Sequence, residues 1–165
     1  MDKIALIQWP HTTDVLQRYA AEFIQRYRMS LVENGRPATG RLIDSLSYQV
    51  VVGDQSFAVD ISLMDYWRYI ENGTAPHWPP SEAIRQWIEA KPVIPQPDSR
   101  GRIPTPAQLT YLIQRKIARF GTQGTHDLQA TNEQLLSEMQ ESLADAVTED
   151  VGAYVSAIFA DFLPR

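Results

Sequence analysis

The residues able to do chemistry in this 165-residue chain are few and scattered. His11, His77 and His126 lie far apart in sequence, without the HExxH or His-x-His spacing that turns two imidazoles toward one metal ion. Carboxylate pairs for acid-base work, as in glycoside hydrolysis, would be Glu71 near Asp65, or Glu82 near the Trp78 loop. Nothing in the spacing fixes either pair at a productive separation, and all three acids read more simply as surface or capping groups. Gly121-Thr122-Gln123-Gly124-Thr125 comes nearest to a phosphate-cradling loop, yet it lacks both the lysine and the preceding strand, and it reads as a flexible connection. There is no GxSxG and no dinucleotide fingerprint. The absence of cysteine removes thiol nucleophiles, disulfides and thiolate metal sites together. The expectation is a chain that is not an enzyme and needs no cofactor or metal.

Binding chemistry is better represented. Tyr66, Trp67, Tyr69, Trp78 and Trp87 concentrate aromatic surface that could stack on bases or sugars, but few basic residues accompany them. Aromatics interleaved with proline point instead to a packed arm or a protein interface. Arg100, Arg102, Arg115, Lys116 and Arg119 have no acid among them, whereas Glu133, Glu138, Glu141, Asp145, Glu149, Asp150 and Asp161 occupy a stretch without Lys or Arg. Such asymmetry leads either to two solvated helix faces or to complementary contact, within a subunit or between copies. The net charge of -5 argues against a dedicated nucleic-acid binder, which needs clustered cations facing phosphates.

The elements that position these residues follow from periodicity. With 44% hydrophobic residues, the chain can bury one compact core, and a single domain over residues 1–165 is expected. Met1-Asp2-Lys3-Ile4-Ala5-Leu6-Ile7 is too short an apolar run for a signal peptide, and no stretch approaches the roughly 20 residues of a membrane span. Synthesis and use without secretion are expected. After Pro10, with Thr12, Thr13 or Asp14 as cap, Leu16, Tyr19, Ala20, Phe23, Ile24, Tyr27 and Leu31 recur at helical steps until Asn34-Gly35. Pro37, Thr39 and Gly40 break the chain before one or two helical turns at Arg41 to Leu46. Two alternating runs follow, Leu46, Tyr48, Val50, Val52 and then Phe57, Val59, Ile61, Leu63, joined at Gly53-Asp54-Gln55 as a hairpin.

Residues 74–106 hold eight of the eleven prolines, which precludes continuous helix or central strand and suggests an insertion or arm. Within it, Ser81 to Ala90 suits a short helix with Ile84, Trp87 and Ile88 on one face, ended by Lys91-Pro92. Thr105-Pro106-Ala107-Gln108 has capping-box spacing with proline at the first helical position and opens a helix through Leu109, Leu112, Ile113, Ile117 and Phe120 to Gly121. Thr131-Asn132-Glu133-Gln134 repeats that spacing and should open the last helix, whose stripe runs from Leu135 to Phe162, with a kink expected at Gly152. The fold class is α+β. A small antiparallel sheet, the hairpin with room for a third strand, is packed by an N-terminal and a long C-terminal helix, with a proline-rich helical insertion arm.

Three segments carry a resemblance. Tyr66-Trp67-Arg68-Tyr69-Ile70-Glu71-Asn72-Gly73-Thr74-Ala75-Pro76-His77-Trp78-Pro79-Pro80 is similar to the Tyr-x-x-Tyr-Ile-Glu-x-Gly-Thr-x-Pro-His-x-Pro pattern of tailed-bacteriophage minor tail, or tail-completion, proteins. Thr39-Gly40-Arg41-Leu42-Ile43-Asp44-Ser45-Leu46 resembles the Thr-Gly-x-Leu-x-x-Ser segment of the same family. Leu109-Thr110-Tyr111-Leu112-Ile113-Gln114-Arg115-Lys116-Ile117-Ala118-Arg119-Phe120-Gly121-Thr122 looks like the Leu-Ala-x-x-Ile-x-Arg-Lys-Ile-x-x-x-Gly-Thr stretch of members with an insertion. Together the segments cover roughly residues 39–128, in the family's order around a hairpin.

The resemblance implies a structural virion subunit at the neck or head-proximal tail, assembled as a ring of six or twelve copies beside an adaptor, a tail terminator or the tail tube. DNA would pass such a ring without specific binding, no membrane would be involved, and assembly would occur in the host cytoplasm. It implies no catalytic residue. Locally, Gly73 suits a left-handed helix stop, Thr74 a cap or turn, and Tyr66, Tyr69 and Ile70 would anchor the proline-rich arm on the hairpin face. The aromatic junction expected at an interface comprises Tyr66, Tyr69, Gly73, Thr74, Pro76, His77, Trp78 and Trp87. Arg115, Lys116 and Arg119 are expected there too. Two alternatives stay within the virion, a tail terminator and a DNA-contacting head-tail adaptor. A third is a small hydrolase using Glu71 or Glu82.

Overall fold

The computed structural model describes residues 7–35, 40–53, 56–91, 93–97 and 99–162, with side chains to residue 160. The segment Met1 to Leu6, Pro37 and Thr39, the turn residues Asp54 and Gln55, Pro92, and the side chain of Phe162 lie outside the described residues. The protein is mixed α+β. In chain order the elements are α1 (Pro10–Glu33), α2 (Arg41–Ser45), β1 (Ser47–Val52), β2 (Phe57–Ser62), α3 (Trp67–Asn72), β3 (Gly73–Thr74), α4 (Ser81–Ala90), α5 (Pro106–Phe120), β4 (Thr122–Gln123) and α6 (Asp127–Phe162). They divide into two compact units, one of residues 1–29, 45–63 and 128–165, the other of residues 30–44 and 64–127.

The first unit is built on α1, whose apolar positions at three- and four-residue spacing form one buried stripe: Val15, Leu16, Ala20, Phe23, Ile24 and Tyr27. Phe23 stacks on Tyr27 with ring centroids 6.0 Å apart, and burying a ring of that size contributes roughly 1.5–3 kcal/mol. The long helix α6 packs antiparallel on α1 and supplies Leu135 and Ala146 to the core. Antiparallel packing follows from the polar pairs. Arg26 forks onto both carboxylate oxygens of Glu138 at 3.0 and 2.8 Å, while the start of α1 meets Asp150, three turns further along α6. Tyr19 donates to Asn132 Oδ1, nearer the start of α6, and burial pushes its phenol up from the ordinary value. The hydrogen bonds with Glu138 and then Glu22 raise the Arg26 guanidinium, and the Arg26 bond holds Glu138 below the usual carboxylate range.

The hairpin β1–β2 completes this unit. Its register pairs Tyr48 with Ile61, Val50 with Val59 and Val52 with Phe57, so those six side chains share one face. Trp9 meets Phe57 edge-on at 5.0 Å, yet Tyr48 and Val52 stay exposed. Among the described residues no third strand joins this hairpin. The two remaining strands, β3 and β4, pair with each other.

Two helix starts differ from the sequence expectation. α1 begins at Pro10, so Thr12, Thr13 and Asp14 lie inside it and do not cap it. The last helix begins at Asp127, and Thr131 is buried inside it and does not cap it. His126, at φ 56°, breaks the chain just before, and no breaker lies between Asp127 and Thr131, so the helix propagates from its first acidic residue. α6 also runs through Gly152 as one helix of 36 residues, about 54 Å long. The capping box at α5 is present as expected: Thr105 Oγ1 accepts from Gln108 N, and Gln108 Oε1 accepts from Thr105 N at 2.9 Å. α1 stops where Asn34-Gly35 was expected to stop it, with Gly35 at φ 60°.

Candidate functional site

The second unit holds both the aromatic junction and the basic helix, and its centre is a joint between two Gly-Thr dipeptides. α3 ends in Gly73-Thr74 and α5 ends in Gly121-Thr122. Each glycine has positive φ (73° and 67°) with ψ near -160°, an extended region open almost only to glycine. Gly73 therefore does not make the left-handed stop expected of it but sends the chain straight into a strand. The two dipeptides then pair antiparallel, Thr74 opposite Thr122 and Gly73 opposite Gln123. The threonine hydroxyls lie 3.0 Å apart, and Thr122 N donates to Thr74 Oγ1.

The close approach explains why glycine occupies three positions. A Cβ on Gly121 would sit 1.9 Å from the Thr74 carbonyl oxygen, one on Gly73 2.1 Å from that of Thr122, and one on Gly124 2.1 Å from that of Glu71. Thr125 N and His126 N extend the joint by donating to the carbonyls of Ile70 and Glu71 at 3.0 and 3.2 Å. The segment from Gly121 to Thr125 is thus a paired strand and its continuation, not a flexible connection. Its bonding partners lie about fifty residues away, which local composition does not reveal.

The proline-rich segment is held in the same unit. α4 packs on α5, and the amide of Gln114, a buried residue of α5, donates to Pro79 O at 2.8 Å and to Ser81 Oγ at 2.9 Å. One side chain thereby satisfies the carbonyl before α4 and the hydroxyl at its first residue. Trp78 packs against Tyr111 at 6.0 Å, and the His77 ring is hydrogen-bonded to Ala75 O. Tyr66 precedes α3 and its carbonyl accepts from Tyr69 N; Tyr69, expected to be an anchor, is 65% exposed. Pro76 is exposed as well.

Between α4 and α5 runs a groove of about 780 Å³ with Ile84, Trp87, Ile113 and Ile117 in its walls and Phe120 at its end. Sequence periodicity placed Phe120 on the apolar stripe of α5, and it is 72% exposed. Lys91 sits over the Trp87 ring at 5.3 Å. Lys116 lines the groove, with Arg115 and Arg119 beside it on the exposed side of α5. Arg119 lies against the Phe120 ring, and none of the three makes an ion pair among the described residues.

The two acids considered for hydrolysis have different surroundings. Glu71 is buried at the end of α3, whereas Glu82 is exposed on α4, bonded to Arg85 and Gln86. No cluster of three metal-ligating side chains occurs among the described residues, and no helix there is long and apolar enough to cross a membrane.

Sequence reasoning missed Asp150 and Gln114. Asp150 was counted with the acidic stretch of α6, yet it is only 2% exposed, and its carboxylate accepts from His11 N at 3.1 Å and Thr12 N at 2.8 Å. Burial alone would raise this carboxyl, but the Thr12 and His11 bonds outweigh it and hold it below its ordinary value. Gln114 carried no signal beyond being a polar residue one step from an apolar stripe. Comparison with protein-family models, with curated proteins and with solved structures finds no match to this chain.

Proposed function

We propose that this chain is a non-enzymatic structural subunit of a tailed-phage virion, a tail-completion or head-tail connector protein that assembles as a ring at the neck. The observation that carries the reading is the order of the three family-like segments, together with the pairing of two of them. The Gly-Thr of the aromatic segment and the Gly-Thr of the basic segment form one joint in the second unit. That joint gives both motifs a shared physical purpose, fixing the proline-rich segment between two helix ends. Ring partners would be further copies of the chain and the neighbouring adaptor, tail terminator or tail tube.

A DNA-contacting adaptor is the second reading, favoured by Arg115, Lys116 and Arg119, which are exposed and make no ion pair among the described residues. It requires DNA affinity that falls steeply with salt and is lost on charge reversal of these residues. The structural reading is tested by native mass spectrometry and negative-stain imaging of the purified chain, alone and with purified phage heads and tails. A ring of six or twelve copies seated at the head-proximal end of tails is expected. A persistent monomer that binds neither heads nor tails would overturn the proposal.

A further inference from the structure

Two surfaces of the chain leave apolar side chains in water. One is the last part of α6, where Val151, Val155 and Phe159 recur at four-residue steps along one side of the helix, Phe159 being 63% exposed. The other is the α4–α5 groove, walled by Ile113, Ile117 and Trp87 and ending at Phe120. Val151 and Val155 belong to the apolar stripe that periodicity gives the last helix, yet they are 39% and 42% exposed.

Charge distinguishes the two surfaces. Glu141 and Asp145 are exposed on the same side of α6 as the apolar strip, about three to four turns before its middle, and α6 has neither Lys nor Arg along its length. The groove has Lys116 in its lining and Arg115 and Arg119 beside it. At the level of the units the contrast is general. The unit containing α6 has five basic and twelve acidic residues, net -7, and the unit containing the groove has ten basic and eight acidic, net +2.

We infer that the C-terminal turns of α6 of one copy seat in the α4–α5 groove of a second copy. Val151, Val155 and Phe159 cover the groove's apolar walls, while Glu141 and Asp145 approach the basic side of α5. Each copy then offers one helix and one groove. Helix against helix would set acid against acid, so the contact is heterologous, and such contacts close into a ring or run on as a filament. The inference deepens the ring-subunit reading and rests on it, naming the surfaces through which copies meet.

Because the chain has no cysteine, single thiols can be placed at will. Val155→Cys and Phe120→Cys, both at exposed positions, are purified separately, mixed and treated with a short thiol-specific crosslinker. A covalent heterodimer of the two variants is expected. Sedimentation of the full-length protein should show the wild type as an oligomer and Val155→Asp/Phe159→Asp as a monomer with unchanged helical circular dichroism. Glu141→Lys/Asp145→Lys should weaken association at least tenfold, and mixing it with Lys116→Glu/Arg119→Glu should restore heterologous pairing. A monomeric wild type, no crosslinked heterodimer, or an oligomer unaffected by the aspartate pair would overturn the inference. If copies associate through this contact yet bind neither heads nor tails, the virion reading fails alone. If the chain binds tails without this contact, the contact fails alone.

Discussion

The carboxylate of Asp150 caps the first turn of a helix that begins 140 residues earlier in the chain, Oδ2 accepting from Thr12 N at 2.8 Å while Oδ1 accepts from His11 N. Pro10 occupies the first helical position and has no N–H, so these are the first two free donors of α1, and both are satisfied by one buried group. The negative charge also faces the positive end of the α1 dipole. Removing the carboxylate leaves two N–H groups without their acceptor, one of them at a buried residue, and Asp150→Ala should cost about 2 kcal/mol of stability by urea unfolding. The carboxyl is held below its ordinary value of 3.8, so its contribution is fully present above that pH and is lost as pH falls through the lower, folded-state value. Asp150→Asn should therefore flatten the acid limb of the stability-pH curve; an unchanged limb would show that the cap is energetically silent.

The Gly-Thr joint makes a sharper demand on its residues. Gly121→Ala sets a methyl 1.9 Å from the Thr74 carbonyl oxygen and places a non-glycine residue in a region that only glycine enters readily. Backbone atoms on both sides cannot turn away as a flexible side chain would. A loss of about 3 kcal/mol or more is expected. Hydrogen exchange at Thr122 and Thr125 should accelerate in the same variant, since both amides donate across the joint. Protection equal to wild type there would mean the two strands do not depend on the close approach.

Local patterns carried the elements well. The stripe of α1, the bounds of α4, the capping box of α5 and the hairpin are all set by neighbours within a few residues, where periodicity and cap chemistry act. What was not legible depends on distant partners. Thr131-Asn132-Glu133-Gln134 has the same spacing as the box that opens α5, but a helix already running from Asp127 absorbs it. The pairing of Gly73-Thr74 with Gly121-Thr122 leaves no trace in either dipeptide alone. Asp150 looks like any acid in an acidic helix until α1 is placed beside it. Exposure of Phe120 and Val155 was equally hidden, because an amphipathic pattern states which face is apolar and not what covers it.

Gln114 ties the proline-rich segment to α5 with two hydrogen bonds from a single amide, and both Gln114 and Pro79 are buried. Gln114→Leu keeps the bulk of the side chain and removes both donors, leaving the Pro79 carbonyl unsatisfied. The expected cost is about 1–3 kcal/mol. The effect should be local as well as global. Limited proteolysis between Val93 and Pro104 should speed up relative to wild type, because α4 loses the bond at its first residue. Equal cleavage rates would indicate that α4 is held by apolar packing on α5 alone.

Gly152 offers the opposite case, a glycine that no close contact requires. It lies inside α6, exposed, with nothing within 4 Å of where a Cβ would project. Its helical backbone gains nothing from the freedom of glycine, which only enlarges the unfolded ensemble. Gly152→Ala should therefore stabilise the chain by about 0.5–1 kcal/mol. The gain bears on the C-terminal turns in particular, since Gly152 separates the part of α6 packed on α1 from the exposed strip of Val155 and Phe159. A stiffer end of α6 loses less conformational freedom when it is docked, so association of copies through that end should tighten in Gly152→Ala as well. Sedimentation at matched concentrations measures this directly. A variant that is more stable to urea but no more associated would mean that the order of these turns does not limit the contact.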